Sequence, residues 1–321
     1  MNCLVTGAAG FVGSTLTDRL LKLGHKVRGV DCFLDYYSRQ IKEENIKSAL
    51  DSKNFEFIEK NLINDDIKTL LAGIDVVFHQ AGQAGVRASW GEYFRTYIDH
   101  NILVTQKLLE SIKAVNSKIK LVFASSSSVY GDAESFPTTE FALPSPVSPY
   151  GVTKLAAENL VSLYASQFNL STVSLRYFTV FGPRQRPDMA FTRFCKKALV
   201  GEEISIFGDG EQTRDFTFVD DIVEANILAS QKGDKGAVYN IGGGTNASVN
   251  QVLNIIKNNV GKLNLKYSNK MVGEARKTSA DTSRAQKELG FYPSITLEEG
   301  LKAQLKWMQE VLSSGRSFPL E

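Results

Sequence analysis

Two residues one helical turn apart pose the first chemical question. In Tyr150-Gly151-Val152-Thr153-Lys154 a phenol and an ammonium stand at i and i+4, on one face of a helix. A phenol of ordinary pKa, about 10, is protonated at neutrality, and lowering it by about 3 pH units takes roughly 4 kcal/mol. One cation about 4 Å away supplies about that much at an effective dielectric near 20. The pair therefore suits proton abstraction, with Tyr150 as general base and Lys154 as its electrostatic tuner. Taken alone, a tyrosine and a lysine four apart also describe the wet face of any amphipathic helix, so the reading leans on what surrounds them.

Upstream, Thr6-Gly7-Ala8-Ala9-Gly10-Phe11-Val12-Gly13 follows a short apolar stretch and opens a helical one. In such a run one glycine permits the tight turn, a second lets backbone amides close on a pyrophosphate, and a third allows close packing of helix on strand. The phosphates then sit at the positive end of the helix that Phe11, Val12 and Gly13 begin. Asp31 ends the second apolar stretch, at the distance from the glycines where a carboxylate accepts hydrogen bonds from a ribose diol. A 2′-phosphate would meet that negative charge, so NAD is expected rather than NADP, with Arg28 and Arg39 the nearby cations that bear on the choice. Tyr150 and Lys154 join the expected cofactor contacts: Lys154 anchors the ribose, and the positive nicotinamide ring adds to its pull on the phenol.

These residues need a sheet to hold them. Short apolar runs alternate with longer helical patterns from Asn2 to Phe178, the rhythm of strand-helix-strand units. Strands are expected at Asn2 to Thr6, Lys26 to Asp31, Phe55 to Glu59, Asp75 to His79, Lys120 to Ser125 and Thr172 to Phe178. Ser148 and Pro149 read as an N-cap and first-turn proline for the helix carrying Tyr150 and Lys154. The expected fold is α/β, a doubly wound parallel sheet (Rossmann) over 1–178, with a smaller α/β substrate domain over 179–321. The segment 215–230 is expected to pack back on the sheet.

Composition narrows the rest. With 37 Lys and Arg against 35 Asp and Glu, the chain of 321 residues carries +2, which offers no footprint for nucleic acid or a membrane surface. Cys3, Cys32 and Cys195 are odd in number and widely spaced, so a reducing compartment is expected; with no signal-peptide pattern and no apolar run of about 18 residues, a soluble, cytoplasmic protein is expected. His25, His79 and His100 lack ligand spacing, and no metal is implied.

Taken together, the run from Thr6 to Gly13, the strand end Ser125-Ser126-Ser127-Ser128-Val129-Tyr130-Gly131 and the run from Tyr150 to Lys154 resemble the extended short-chain dehydrogenase/reductase family. The resemblance runs nearly end to end. Arg176-Tyr177-Phe178, Phe181-Gly182-Pro183-Arg184-Gln185, Gly208-Asp209-Gly210, Arg214-Asp215-Phe216 and Gly273-Glu274-Ala275-Arg276 look like that family's nucleotide-sugar half. It implies that NAD oxidises a sugar nucleotide at C4 while Tyr150 takes the hydroxyl proton. Ser126 or Ser127 would hydrogen-bond the reacting oxygen, and the 4-keto ring would turn over before being reduced on its other face. Dehydrating or decarboxylating relatives carry a carboxylate just before the Val-Tyr-Gly step. Ser127 and Ser128 stand there instead, which favours simple epimerisation.

Gln83-Ala84-Gly85-Val86-Arg87, Thr179 and Gly182-Pro183-Arg184-Gln185-Arg186-Pro187 look most like UDP-glucuronate 4-epimerases. A sugar carboxylate needs hydroxyl donors and a cation, which Ser127, Ser128, Thr179 and Arg186 would supply, with Arg87 a further candidate. Arg214 and Arg276 are the expected grips on the diphosphate. Asn101 resembles the helix residue that assists the family's proton relay. Asn61 and Gln80 depart from the family pattern near the adenosine. The resemblance also implies a homodimer. The alternatives are 4-epimerases of the UDP-glucose or UDP-N-acetylglucosamine type, a UDP-glucuronate decarboxylase, and a non-catalytic NAD-binding sensor.

Overall fold

The architecture follows from which runs of sequence are apolar on both faces. In the computed structural model, which describes residues 1–269, 276–315 and 318–319, β1 (Asn2–Thr6) is buried over its last four positions. Cys3 and Val5 enter one core cluster, and Leu4 enters the cluster on the opposite face of the sheet. A strand covered on both faces is what a parallel sheet between two helical layers requires. The other members are β2 (Lys26–Asp31), β3 (Phe55–Glu59), β4 (Val76–His79), β5 (Lys120–Ser126), β6 (Thr172–Tyr177) and, much later in the chain, β10 (Ala237–Ile241).

Their order is β10-β6-β5-β4-β1-β2-β3, all parallel, a doubly wound sheet whose strand order reverses between β1 and β4. Ligands of such sheets bind in the crevice beyond the carboxyl ends of the strands at that reversal. The helices that cover it are α1 (Phe11–Lys22), α2 (Arg39–Leu50), the one-turn α3 (Phe94–Tyr97), α4 (Val104–Val115) and α5 (Pro149–Phe168). Ser148 caps α5: its Oγ accepts from the amide of Gly151, with Pro149 in the first turn. Among the described residues, no helix is long and apolar enough to cross a membrane.

The remaining chain forms a smaller layer. Strands β7 (Thr179–Phe181), β9 (Thr213–Phe218) and β11 (Thr245–Ser248) make one sheet, while β8 (Glu203–Phe207) pairs with β12 (Asn264–Ser268). Helices α6 (Ala190–Val200), α8 (Val249–Val260) and α10 (Leu297–Ser313) pack there around an aromatic core that includes Phe181, Phe191, Phe216 and Phe218. Two helices of this half cover the main sheet instead. The buried face of α7 (Val219–Lys232) adds Ile222, Val223 and Ala225 to the core under β1, and α9 (Ser283–Leu289) adds Ala285 and Leu289.

The sheet thus has seven strands where the sequence pattern suggests six. The seventh, β10, is short and pairs with β6 only across a long excursion, so no local rhythm announces it. At the other end of β6 the expected strand is too long. Thr172 to Tyr177 pair in the sheet, and after Phe178 the chain leaves it to begin β7.

At the carboxyl end of β4, His79 is fully buried, with Nδ1 2.7 Å from the Thr6 hydroxyl and Nε2 3.1 Å from that of Thr105. Burial, and after it the charge of Lys154, hold its imidazole down at about 3. Unfolded, the ring titrates near 6.5, so below that pH the unfolded chain binds a proton that the folded chain refuses. Stability is therefore present above about 6.5 and lost as pH falls toward 3, by roughly 2 to 3 kcal/mol between about pH 7 and about pH 4.5 from this residue. Urea unfolding at those two pH values should show the loss, and His79→Asn, whatever it costs at neutrality, should flatten the slope.

Candidate active site

A cavity of about 960 Å³ opens beyond the carboxyl ends of the strands, between the sheet and the smaller layer. Its floor is the turn from β1 into α1. Gly7 has a left-handed φ of +70°, and a Cβ there would lie 2.8 Å from the backbone of Ala81. A Cβ on Gly13 would lie 2.0 Å from the carbonyl oxygen of Gly7, so α1 can begin this close to β1 only without a side chain at that position. Gly10 is the N-cap and brings no side chain to cap the helix, and no acidic residue stands in the first turn. The amides of that turn therefore face the cavity without an internal anion, which is the chemistry a pyrophosphate needs.

Asp31 lines the same cavity. Its Oδ2 accepts from the amide of Ala9 at 3.1 Å and its Oδ1 from that of Phe33 at 2.9 Å. Each oxygen keeps a further lone pair, so the carboxylate is held in place and can still accept from a diol. Lys42, which carries no motif in sequence, is buried nearby and donates to the carbonyl of Leu34 while lying over the ring of Tyr37. It steadies the loop after β2. Gln80 and Asn61 also line the cavity. Gln80 binds Asn226 of α7 and Tyr177, so its side chain braces the sheet against that helix.

The opposite wall carries the reactive groups. The last residue of β5, Ser126, accepts from the amide of Ser128 on its Oγ, and Ser127 and Ser128 begin a one-turn 3₁₀ helix. Tyr150, in the first turn of α5, packs edge to face against Tyr97 at 6.2 Å between ring centroids. Burial raises its phenol above the ordinary value, while a hydrogen bond with Ser126 and the charge of Arg186 pull it back down. Lys154 is buried, with its ammonium 4.8 Å from the centre of the Phe123 ring. Burial pushes it down to about 8, against the opposing charge of Glu158.

Lys154 lines the cavity with its ammonium beside Gly82 and Phe123, and Arg186, from far along the chain, is a second cation whose charge bears on the phenol. At neutral pH Lys154 remains largely charged, since about 8 lies above neutrality.

Thr179, Arg186, Arg87 and Arg214 also line the cavity. Arg186 is engaged on one edge: Nε and Nη2 donate to the two oxygens of Asp188, each at 2.9 Å. Arg87 lies over the ring of Phe207, 4.6 Å from its centre. Arg214 donates to the carbonyls of Thr213 and Arg276. Arg276 itself is exposed; its carbonyl meets the cavity-lining Arg214 and its backbone amide meets Asp132. Gly273, Glu274 and Ala275 lie outside the described residues.

Asn101 falls in a π-helical turn over Ile98–Leu103, a distortion that often marks functional sites. Its Nδ2 donates to Gln83 O and Thr153 Oγ1, and its Oδ1 accepts from Gln83 N. These bonds clamp the loop after β4 onto α5. Tyr36, Tyr37 and Asp188 line the cavity as well. The paired tyrosines after β2 and the aspartate two places past Arg186 carry no motif, and only the fold brings them together.

Comparison with known proteins places this geometry. The model of the NAD dependent epimerase/dehydratase family matches residues 3–242. An uncharacterized UDP-glucose epimerase of Bacillus subtilis is 44% identical over 314 residues, covering 97% of this chain and 99% of the relative. A UDP-glucuronate 4-epimerase of Thermodesulfobacterium geofontis is 40% identical over 312 residues, covering 96% of each. The crystal structure of the Bacillus cereus UDP-glucuronic acid 4-epimerase, in complex with UDP-glucuronic acid and NAD, superposes with a TM-score of 0.93. It is 43% identical and covers 97% of this chain and 100% of that one.

Gly13→Ala tests the floor of the cavity. A methyl 2.0 Å from the Gly7 carbonyl must push α1 away from the turn. NAD binding should therefore weaken at least about tenfold, with the helix content of the parent retained. Calorimetric titration with NAD, alongside circular dichroism, is the measurement.

Proposed function

The chain belongs to the NAD dependent epimerase/dehydratase family, and from that premise we propose that it is an NAD-dependent 4-epimerase interconverting UDP-glucuronate and UDP-galacturonate. The observation that carries this reading is the meeting of Tyr150, Ser126 to Ser128, Thr179 and Arg186 on one cavity, with the glycine turn and Asp31 as its other wall. The likeness to the Bacillus cereus enzyme, over nearly the whole of both chains, supports it.

Bound NAD would serve as a reversible hydride acceptor at the sugar's C4. The chain's own residues hold it and manage protons. The turn around Gly7, Gly10 and Gly13, with Phe11 and Val12, receives the pyrophosphate. Asp31 receives the adenosine ribose, and Lys154 the ribose next to the reacting ring. Tyr150 accepts the proton of the C4 hydroxyl, then gives it back after the sugar has turned. Burial favours the neutral phenol, whereas Ser126 and the charge of Arg186 favour the ionised form that accepts the proton. Ser126 and Ser127 supply hydrogen bonds to the reacting oxygen.

Selectivity for a carboxylate-bearing sugar rests on the hydroxyls of Ser127, Ser128 and Thr179 and on Arg186. Neither Ser127 nor Ser128 supplies an acid for dehydration. Oxidation of glucuronate at C4 makes a β-keto acid, and hydrogen bonds that hold the carboxylate near the plane of the new carbonyl keep the C5–C6 bond out of alignment for loss of CO₂. Arg214 grips the diphosphate. Arg87, stacked on Phe207, contributes to the wall at the substrate end. Arg276, whose carbonyl meets Arg214, joins it in gripping the diphosphate. Catalysis, rather than NAD sensing, is favoured by Tyr150 itself: a sensor has no use for a buried phenol at a sugar-sized space. Exposed apolar residues on α4 and α5, Val115, Val152, Leu163 and Phe168, support a homodimer through these helices, and three free cysteines support a reducing, cytoplasmic setting.

Incubation with NAD and UDP-glucuronate should yield UDP-galacturonate without release of CO₂; a UDP-pentose, or no conversion, would sink the assignment. Tyr150→Phe should retain NAD and lose about a thousandfold or more in turnover. Residual activity within about tenfold of the parent would remove Tyr150 from the role of base.

A further inference from the structure

Arg186 is held by a device that spans the cleft. Asp188 accepts from its Nε and its Nη2 through separate oxygens, a fork-to-fork pair that fixes the plane of the guanidinium as well as its position. The same Asp188 carboxylate accepts at 3.2 Å from the hydroxyl of Tyr36, which comes from the loop after β2 on the dinucleotide side. Arg186 also lies 5.8 Å from the centre of the Tyr36 ring. Tyr36 is itself confined, since a Cβ on Gly85 would come within 2.4 Å of its hydroxyl. Arg186 keeps only 18% of its side chain exposed and Asp188 36%, so the pair sits at the mouth of the cavity, with the arginine inward.

With the Nε edge taken, the donors left to Arg186 lie at the end of the guanidinium away from Nε, and their direction is set by Asp188. We propose that Asp188 is a positioning residue that aims Arg186 at the sugar's C6 carboxylate and so keeps that carboxylate in the plane of the C4 carbonyl. This rests on the epimerase reading above. Tyr36 completes the device by holding Asp188 from across the cleft.

The consequence of losing the aim is a defined side reaction. In the 4-keto uronate the C5–C6 bond breaks when it stands perpendicular to the carbonyl plane. Its electron pair passes to the C4 oxygen as an enolate, CO₂ departs and C5 takes up a proton; return of the hydride to the C4 ketone would reoxidise the cofactor, whereas release of the keto-pentose leaves the cofactor reduced. An Arg186 free to swivel permits that geometry. Removing the Asp188 charge leaves the arginine's own charge in place, and therefore leaves attraction for a carboxylate.

The test is Asp188→Asn, which keeps size and one acceptor while losing the second. CO₂ released per UDP-galacturonate formed should rise about tenfold or more over the parent, with reduced nicotinamide accumulating in its absorbance band. Calorimetric Kd for UDP-glucuronate should hold or tighten, and Kd for UDP-glucose should not move. A purely structural role would instead weaken both sugars and leave the CO₂ ratio within about twofold of the parent; that result overturns the proposal. Tyr36→Phe, which leaves Asp188 in place, should raise the same ratio by a smaller factor. Should the first variant not fold, this second one decides the matter, and an unchanged ratio in it counts against the proposal. Failure of the parent protein to convert UDP-glucuronate would count against the function, and is separable from an unchanged ratio in a protein that does convert it.

Discussion

A group that must gain and lose charge has been placed where charge is costly. The Tyr150 phenol is buried, which favours its neutral form, and everything useful about the cleft lies in what opposes that burial. A hydroxyl from the end of β5 and a guanidinium from the loop after β7 both act on it, and a buried ammonium stands one turn further along α5. Groups from three separate elements converge here because the carboxyl ends of the parallel strands open onto one crevice, which the start of α5 and the loop after β7 also line. Drying the site also strengthens each interaction inside it, so a few partners suffice.

The same logic explains the buried pair behind the site. Glu158 and Arg176 are nearly inaccessible, and they meet at 2.6 Å between α5 and β6. Ser125 donates to Glu158, while Arg176 donates to the Tyr130 hydroxyl, which in turn donates to Asn240 of β10. A buried ion pair is tolerable only when its remaining donors and acceptors are satisfied, as they are here. The network links the strand before the serine turn to the helix bearing Tyr150 and Lys154, so the spacing between those two reactive elements is fixed by polar contacts as well as by packing.

Much of this was legible in the residues themselves. The glycine turn, Asp31, the serine turn and the capped start of α5 are local features, each with a fixed relation between residue type and backbone, and they all meet on one cavity. What escaped was long-range. The spacing from Tyr150 to Lys154 says that two side chains share a helix face, yet not that Arg186, far along the chain, brings a second positive charge to bear on the phenol. Asp188 and Tyr36 carry no signal in sequence and gain meaning only because a β2 loop and a β7 loop close over the same space. Arg276, a motif position, is exposed and meets the cavity-lining Arg214 through its carbonyl, a contact no local pattern announces.

The late arrival of β10 bears on how the molecule is made. Until 237–241 have left the ribosome, β6 presents an open edge of unpaired amides and carbonyls, beside a Tyr130 hydroxyl whose partner Asn240 does not yet exist. Exposed edges of this kind invite pairing with other chains. A nascent chain must therefore carry its nearly finished dinucleotide half through the synthesis of much of the sugar half before the sheet can close, and translation halted within that interval would leave a fragment prone to clumping.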